Sequence, residues 1–278
     1  MKLNDEKRVL ERRITEAIES LPLFPRDIDR LLVSALKPAE NKEEVLRLIE
    51  QAPELWSNLL QLAGMFYGMD GGVKTVEDAI RYLGIEPLVQ LIGISYARRA
   101  IREEFDSLEY LNEYLDHSEN ISIGCYVLAE LSDATRNQRQ IYAAAGLIHD
   151  IGRLVIMVAS NRTSAHVLGT LWDKMASVVH DEKITLGSDH CEVGVRLCRK
   201  WHLSEIVQEG VLRHHSPLIN GDFSIPGAII FTAHFLSASD PSGEIISTLS
   251  ANEVLSNLKL TSNDFRRARE LYRSRTQS

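Results

Sequence analysis

The sequence predicts an all-α fold, a multi-helix bundle with an N-terminal helical subdomain. Apolar residues recur at helical spacing through most of the chain, as in Val9, Leu10, Ile14, Ala17 and Ile18. The breaks between these stretches carry residues that start or stop helices, among them Leu21-Pro22 with Pro25, Lys37-Pro38, Gly84 and Pro217. No stretch of strict apolar–polar alternation reads as a convincing strand. With 278 residues, 44% hydrophobic and 25% charged, the chain can bury a real core as one large domain or two smaller ones.

Taken in order, residues 4–20 read as a charged amphipathic helix. A short helix with Ile28, Leu31 and Leu32 follows the proline break, and Val45, Leu46, Leu48 and Ile49 give residues 41–51 a buried face. Pro53 suits the first turn of a helix carrying Leu55, Leu59, Leu62, Ala63 and Phe66. After the loop Met69-Asp70-Gly71-Gly72, Thr75 caps a helix over residues 76–83 that Gly84 closes, and a longer helix runs to about Glu104. A helix of roughly residues 108–132 places Tyr110, Tyr114, His117, Ile121, Gly124 and Leu128 on one stripe, so His117 faces inward. A central helix of about 137–151 comes next, then one around 162–179. Ser188 or Asp189 can cap a helix with His190 in its first turn, and Leu203 to His215 forms another that Pro217 ends. Pro226 can begin a helix in which Ile230 and His234 are four apart, and the tail from Thr261 sets Phe265, Ala268 and Leu271 beneath an arginine-rich solvated face.

Composition excludes several functions. A net charge of −8 argues against broad nucleic-acid binding, which needs Lys and Arg to neutralise phosphates. No run of about 18 apolar residues suggests a membrane span, and the start Met1-Lys2-Leu3-Asn4-Asp5-Glu6 is charged rather than signal-like. Three cysteines, Cys125, Cys191 and Cys198, lack Cys-x-x-Cys spacing and read as reduced thiols packed as small apolar groups, which predicts a cytoplasmic protein.

The chemistry concentrates around Ala143-Ala144-Ala145-Gly146-Leu147-Ile148-His149-Asp150-Ile151-Gly152-Arg153. Small and apolar residues mark the end of a buried helix, with Gly152 expected to close it in a left-handed conformation. The negative end of a helix dipole beside an imidazole and a carboxylate suits a cation. Six of nine histidines, His117, His149, His190, His214, His215 and His234, sit where predicted helices can point them into one interior. His166, His180 and His202 lie in polar surroundings and receive no role. Two readings stay open on spacing alone: core histidines satisfied one by one, or a shared divalent metal that takes imidazole and carboxylate ligands.

The ordered series His117-Ser118, Gly146-Leu147-Ile148-His149-Asp150-Ile151-Gly152-Arg153, Leu186-Gly187-Ser188-Asp189-His190, Trp201-His202-Leu203 and His214-His215-Ser216-Pro217 resembles the HDOD family. That family is similar to the HD superfamily of metal-dependent phosphohydrolases. Ala52-Pro53-Glu54-Leu55 and Val76-Glu77-Asp78-Ala79-Ile80-Arg81-Tyr82-Leu83-Gly84 look like its N-terminal half, so the resemblance covers about residues 20–240. It implies a bundle of HD-domain type, divided into an N-terminal helix (1–20), an N-terminal half (21–105), an HD-like half carrying the His/Asp cluster (106–240) and a helical tail (241–278). It also implies metal ligation by His117, His149, Asp150, His190, His214, His215 and, in departure, His234, where related proteins carry an aspartate after the alanine. Ala52 and Gly64-Met65 depart from the N-terminal pattern as well. The stretch Ser216 to Pro226 lacks the Gly-Tyr-Pro signature of relatives that hydrolyse cyclic di-GMP, which argues against that activity.

Two functions follow. The first is a signal-transduction module that acts on a protein partner, with no nucleic-acid or membrane partner. The second is a phosphohydrolase using one or two Fe, Mn or Zn ions on a phosphate or nucleotide ligand, with Asp150 and Arg153 in the chemistry. For Arg153 a surface salt bridge is the simpler expectation.

Overall fold

The computed structural model describes residues 2–24, 43, 47, 75–106, 108, 111–160, 178–238, 243–251 and 253–276. The helices expected around residues 28–32, 41–51 and 53–66, and most of that around 162–179, lie outside these, as do Tyr110 and His166. The described chain is almost wholly helical: α1 (Lys2–Ser20), α2 (Val76–Leu83), α3 (Ile85–Glu104), α4 (Leu111–Leu131), α5 (Arg136–Gly146), α6 (Ile151–Ser160) and α7 (Val178–Leu186). After these come α8 (His190–Lys200), α9 (Glu205–Arg213), α10 (Ile225–Ala233), α11 (Glu244–Ala251), α12 (Val254–Asn257) and α13 (Ser262–Thr276).

Local chemistry sets the boundaries. Thr75 Oγ1 accepts the Asp78 N–H at 3.1 Å to start α2. Gly84, at φ +86°, ends it by donating to the Ile80 carbonyl. Thr135 and Gln138 exchange side-chain-to-backbone hydrogen bonds around the first turn of α5, and Asp189 caps α8 through the Glu192 N–H.

At the centre α4 packs on α5, α10 and α13, while α5 also meets α3 and α9. On the other side α8 packs against α6 and α9, and α1 lies across α6, α7 and α8. Side chains from all these layers form one continuous apolar core. Lys200, in the last turn of α8, donates to the carbonyls of Ile18 (2.6 Å), Glu19 (3.0 Å) and Leu21 (2.6 Å) at the negative end of α1. Next to it, Trp201 stacks on Phe24 at 5.3 Å between centroids and donates its indole N–H to the Pro22 carbonyl.

Four expectations need correction. The central helix does not run through to residue 151: Leu147–Asp150 form tight turns, with Ile148 N–H on the Ala145 carbonyl and Ile151 N–H on that of Ile148, before α6 begins. Gly152 does not close a helix but lies inside α6, where its bare Cα touches the α8 backbone. A short antiparallel ladder does occur, pairing Leu218–Ile219 with Asp222–Phe223 across Asn220-Gly221, both at positive φ. That dipeptide is the strongest short hairpin signal a sequence offers. The arginine face of α13 is only partly solvated, since Arg269 donates to the Ala238 carbonyl and Arg275 pairs with Glu130 at 3.2 Å.

The stretch Asn137–Ser160 is long and apolar enough to cross a membrane by length and composition, yet 94% of its apolar window is buried inside the fold. It is the core of the bundle.

Candidate metal centre

Three of the histidines stand at helix C-termini. The last carbonyls of a helix lack intrahelical donors, and an imidazole placed just beyond can supply one. His149 Nδ1 bonds the Gly146 carbonyl at 2.8 Å after α5, and His214 Nδ1 the Val211 carbonyl at 2.7 Å after α9. His234 Nδ1 bonds the Ile230 carbonyl at 2.8 Å after α10. His190, in the first turn of α8, has no such carbonyl and uses a carboxylate, Glu182 Oε2, at 2.6 Å. In all four rings Nδ1 is the anchored proton donor, which leaves Nε2 as the nitrogen free to meet other groups.

Asp150 stands where three of those nitrogens, and that of His117, converge. Its Oδ1 lies 3.2 Å from His190 Nε2 and 3.3 Å from His214 Nε2. Its Oδ2 lies 3.4 Å from His149 Nε2 and 3.8 Å from His117 Nε2. The candidate ligand atoms fall into two groups, Asp150 with His190, His214 and His215, and His117 with His149 and His234, each within 4.8 Å. The structure therefore brings all seven expected residues together, with the two carboxylate oxygens divided between the groups. His149, Asp150, His190 and His214 are at most 1% exposed.

Buried charge is balanced locally. Arg153, 1% exposed rather than at the surface, donates from Nε to Asp150 Oδ1 at 2.9 Å and lies within 3.7 Å of Glu182 Oε1. Burial alone would raise the Asp150 carboxyl, but Arg153 and His149 outweigh it and hold the group well below the usual carboxylate range. Glu182 is likewise lowered, with His190 and Arg153 overcoming its burial. Burial pushes His117 down to about 3 and also lowers His149, His215 and His234, which stay neutral. Against burial, His190 is raised by Cys191 and Asp150, and His214 by the same pair to about 9.

Sequence reasoning missed two members. Glu182 sits on α7, eight residues before His190, a separation with no local periodicity to mark it. Cys191 is more than packing: its Sγ lies 3.5 Å from His190 Nε2 and 3.9 Å from His214 Nδ1, and those rings outweigh burial to bring the thiol down to about 7. Cys125 and Cys198 do pack as apolar groups, the latter pushed up by burial to about 12. His180 and His202 are exposed and away from the cluster, as expected.

The donor set fits a metal. Six imidazoles and one carboxylate, with four rings anchored at the far nitrogen, make a nitrogen-rich donor set of the kind that could hold a metal ion.

Fold and site together define an all-helical protein with a buried histidine/aspartate cluster. The chain belongs to the HDOD domain family, whose family model matches residues 21–217, so α10 and His234 lie beyond the match. An uncharacterised protein of Treponema pallidum (strain Nichols) is 24% identical over 214 residues, 73% of this chain, which spans 39% of that relative's length. Among solved structures, a Shewanella amazonensis SB2B protein provisionally called a phosphohydrolase superimposes with a TM-score of 0.72 at 22% identity, covering 95% of each chain. An HDOD domain protein of unknown function from Geobacter sulfurreducens gives 0.55 at 21% identity, over 95% of this chain and 98% of that one. A Marinobacter aquaeolei VT8 protein provisionally called a signal transduction protein gives 0.58 at 16%, over 98% of this chain and 66% of that one. These likenesses establish the shared fold.

Proposed function

We propose that this chain is a cytoplasmic signalling module whose helical body is organised around one or two transition-metal ions, and that it acts on a protein partner rather than turning over a phosphate ester. The observation that carries the metal reading is the set of four histidines, His117, His149, His190 and His214, whose Nε2 atoms lie within 3.8 Å of an Asp150 oxygen. His117, His149, Asp150, His190, His214, His215 and His234 would hold the ions. When bound, the metal would supply Lewis acidity and a coordinated water of lowered pKa. This chain's residues do the rest: Asp150 offers an oxygen to each donor group, Arg153 fixes its carboxylate, and Glu182 fixes His190.

Burial at Asp150 supports regulation over catalysis: the carboxylate and three of its histidines are at most 1% exposed, with His215 and His234 part-exposed at the rim, whereas a catalytic centre keeps a position open to substrate. His234 also brings no negative charge where related hydrolases bring an aspartate. The three free thiols support the cytoplasmic placement.

The phosphohydrolase reading draws on one feature, the division of the Asp150 oxygens between two donor groups, a layout that suits two-metal hydrolysis. One experiment separates the two. Purified protein is analysed for metal, then assayed with bis-aryl phosphate esters and nucleotides with manganese added. Bound iron, manganese or zinc with negligible hydrolysis is the expected result. Turnover on the order of 1 s⁻¹, lost in Asp150→Ala, would establish the hydrolase instead.

A further inference from the structure

We infer that Glu182 is a positioning residue of this centre, a carboxylate outside the ligand set that decides how His190 presents itself to a metal. The inference rests on the metal reading above and concerns what controls that site. One oxygen, Glu182 Oε2, accepts both the backbone N–H of His190 at 2.9 Å and its ring Nδ1–H at 2.6 Å. Two bonds from one residue to one atom fix the start of α8 and the rotation of the ring together.

The arrangement closes on itself. Glu182 Oε1 faces Arg153 Nη1 at 3.7 Å, Arg153 Nε holds Asp150 Oδ1 at 2.9 Å, and that oxygen lies 3.2 Å from His190 Nε2. Negative, positive and negative groups alternate around a buried loop, with the imidazole joining its ends. The loop is buried: Glu182 is 8% exposed and Arg153 and His190 at most 1%. In such surroundings the single Arg153 charge is shared between two carboxylates, and the ligand geometry depends on both.

His190 differs from its companions in the kind of partner behind it. His149, His214 and His234 lean on neutral carbonyls, whereas His190 leans on a carboxylate. An anionic partner raises the electron-donating strength of the far nitrogen more than a carbonyl does, and loss of such a partner typically weakens metal binding 10–100-fold. Glu182 belongs to α7, which supplies no ligand and packs against α1 and α8. Metal affinity is thereby tied to the seating of a helix on the outside of the centre.

The test uses the full chain as wild type, Glu182→Gln and Glu182→Asp, stripped with chelator. Zinc affinity is measured by competition with a chromophoric chelator, the cobalt(II) visible spectrum is recorded, and the melting temperature of each metal-free form is taken. Glu182→Gln keeps an acceptor for both N–H groups but removes the charge. It is expected to weaken zinc about 10–100-fold, change the cobalt spectrum and lower the melting temperature of the loaded form more than that of the metal-free form. Glu182→Asp keeps the charge, loses the reach and is expected to weaken zinc at least about 10-fold, so it serves if the glutamine variant does not fold. Wild-type affinity and spectrum in whichever variant folds would overturn the inference, as would equal melting losses in the metal-free and loaded forms, the mark of a purely structural role. If wild type itself takes up no zinc or cobalt, the metal reading falls first and this inference with it.

Discussion

Gly152→Ala probes the contact that sets the spacing of the ligand helices. A methyl at residue 152 would overlap the His190 carbonyl oxygen and come within 2.7 Å of the Gly194 nitrogen and 2.8 Å of the His190 carbonyl carbon. All three atoms are backbone, so no side chain can swing aside; α6 and α8 must part. Overpacking of this kind costs about 3 kcal/mol or more, while replacing a mid-helix glycine by alanine returns about 1 kcal/mol. The net loss of about 2 kcal/mol corresponds to a fall in melting temperature of roughly 4–8 °C for a chain of this size. Because the displaced atoms belong to His190, metal content should fall as well. Gly146→Ala is the control, since its methyl would meet Ser122 Cα at 3.0 Å and Cys125 Sγ at 3.1 Å, distances a small shift relieves. Circular dichroism melts and elemental analysis of the three proteins are the assay. A Gly152→Ala protein melting within about 1 °C of wild type with full metal content would refute the reasoning.

Other outcomes follow from the same geometry. Chelation should lower the wild-type melting temperature, by about 2.7 kcal/mol of stabilisation when metal stands at 100 times its dissociation constant, and His149→Ala should abolish the difference. The metal-free protein should be most stable near pH 6.5. Below that the unfolded chain protonates imidazoles that His117, near 3, and its lowered neighbours keep neutral when folded, so stability falls with falling pH. Above it the contribution of the raised His214 is lost as pH climbs through about 9, and that of the raised His190 is lost on the same alkaline side; a melting temperature rising steadily from pH 5 to 9 would contradict this. Lys200→Met should loosen α1 by about 1–2 kcal/mol through loss of a charged donor to three carbonyls; unchanged hydrogen exchange in α1 would count against the clamp.

The helical periodicity, the caps at Thr75 and Asp189 and the inward stripe of His117 were legible because each depends on neighbours within a few residues. So was the convergence of six histidines and Asp150, since the ordered motif series resembles the family's. Gly152 was misread because a glycine after an apolar run looks the same whether it ends a helix or lets two helices touch. The turn at Leu147–Asp150 was hidden for a related reason: both flanking helices are buried, so hydrophobicity runs across the break. The Asn220-Gly221 dipeptide carries a hairpin signal, but its strands are two residues long, too short for alternation to show. Glu182 could not be found from the sequence, because its role arises where one helix crosses another.

The touching backbones of Gly152 and His190 have a further meaning for how such centres change over evolutionary time. Main chain resting on main chain keeps its distance whatever the surrounding donors are. A lineage built on this frame can exchange an acid for an imidazole at position 234 and alter its chemistry while its helices stay superimposable, so kinship of shape among these proteins is compatible with wide divergence in what each one does.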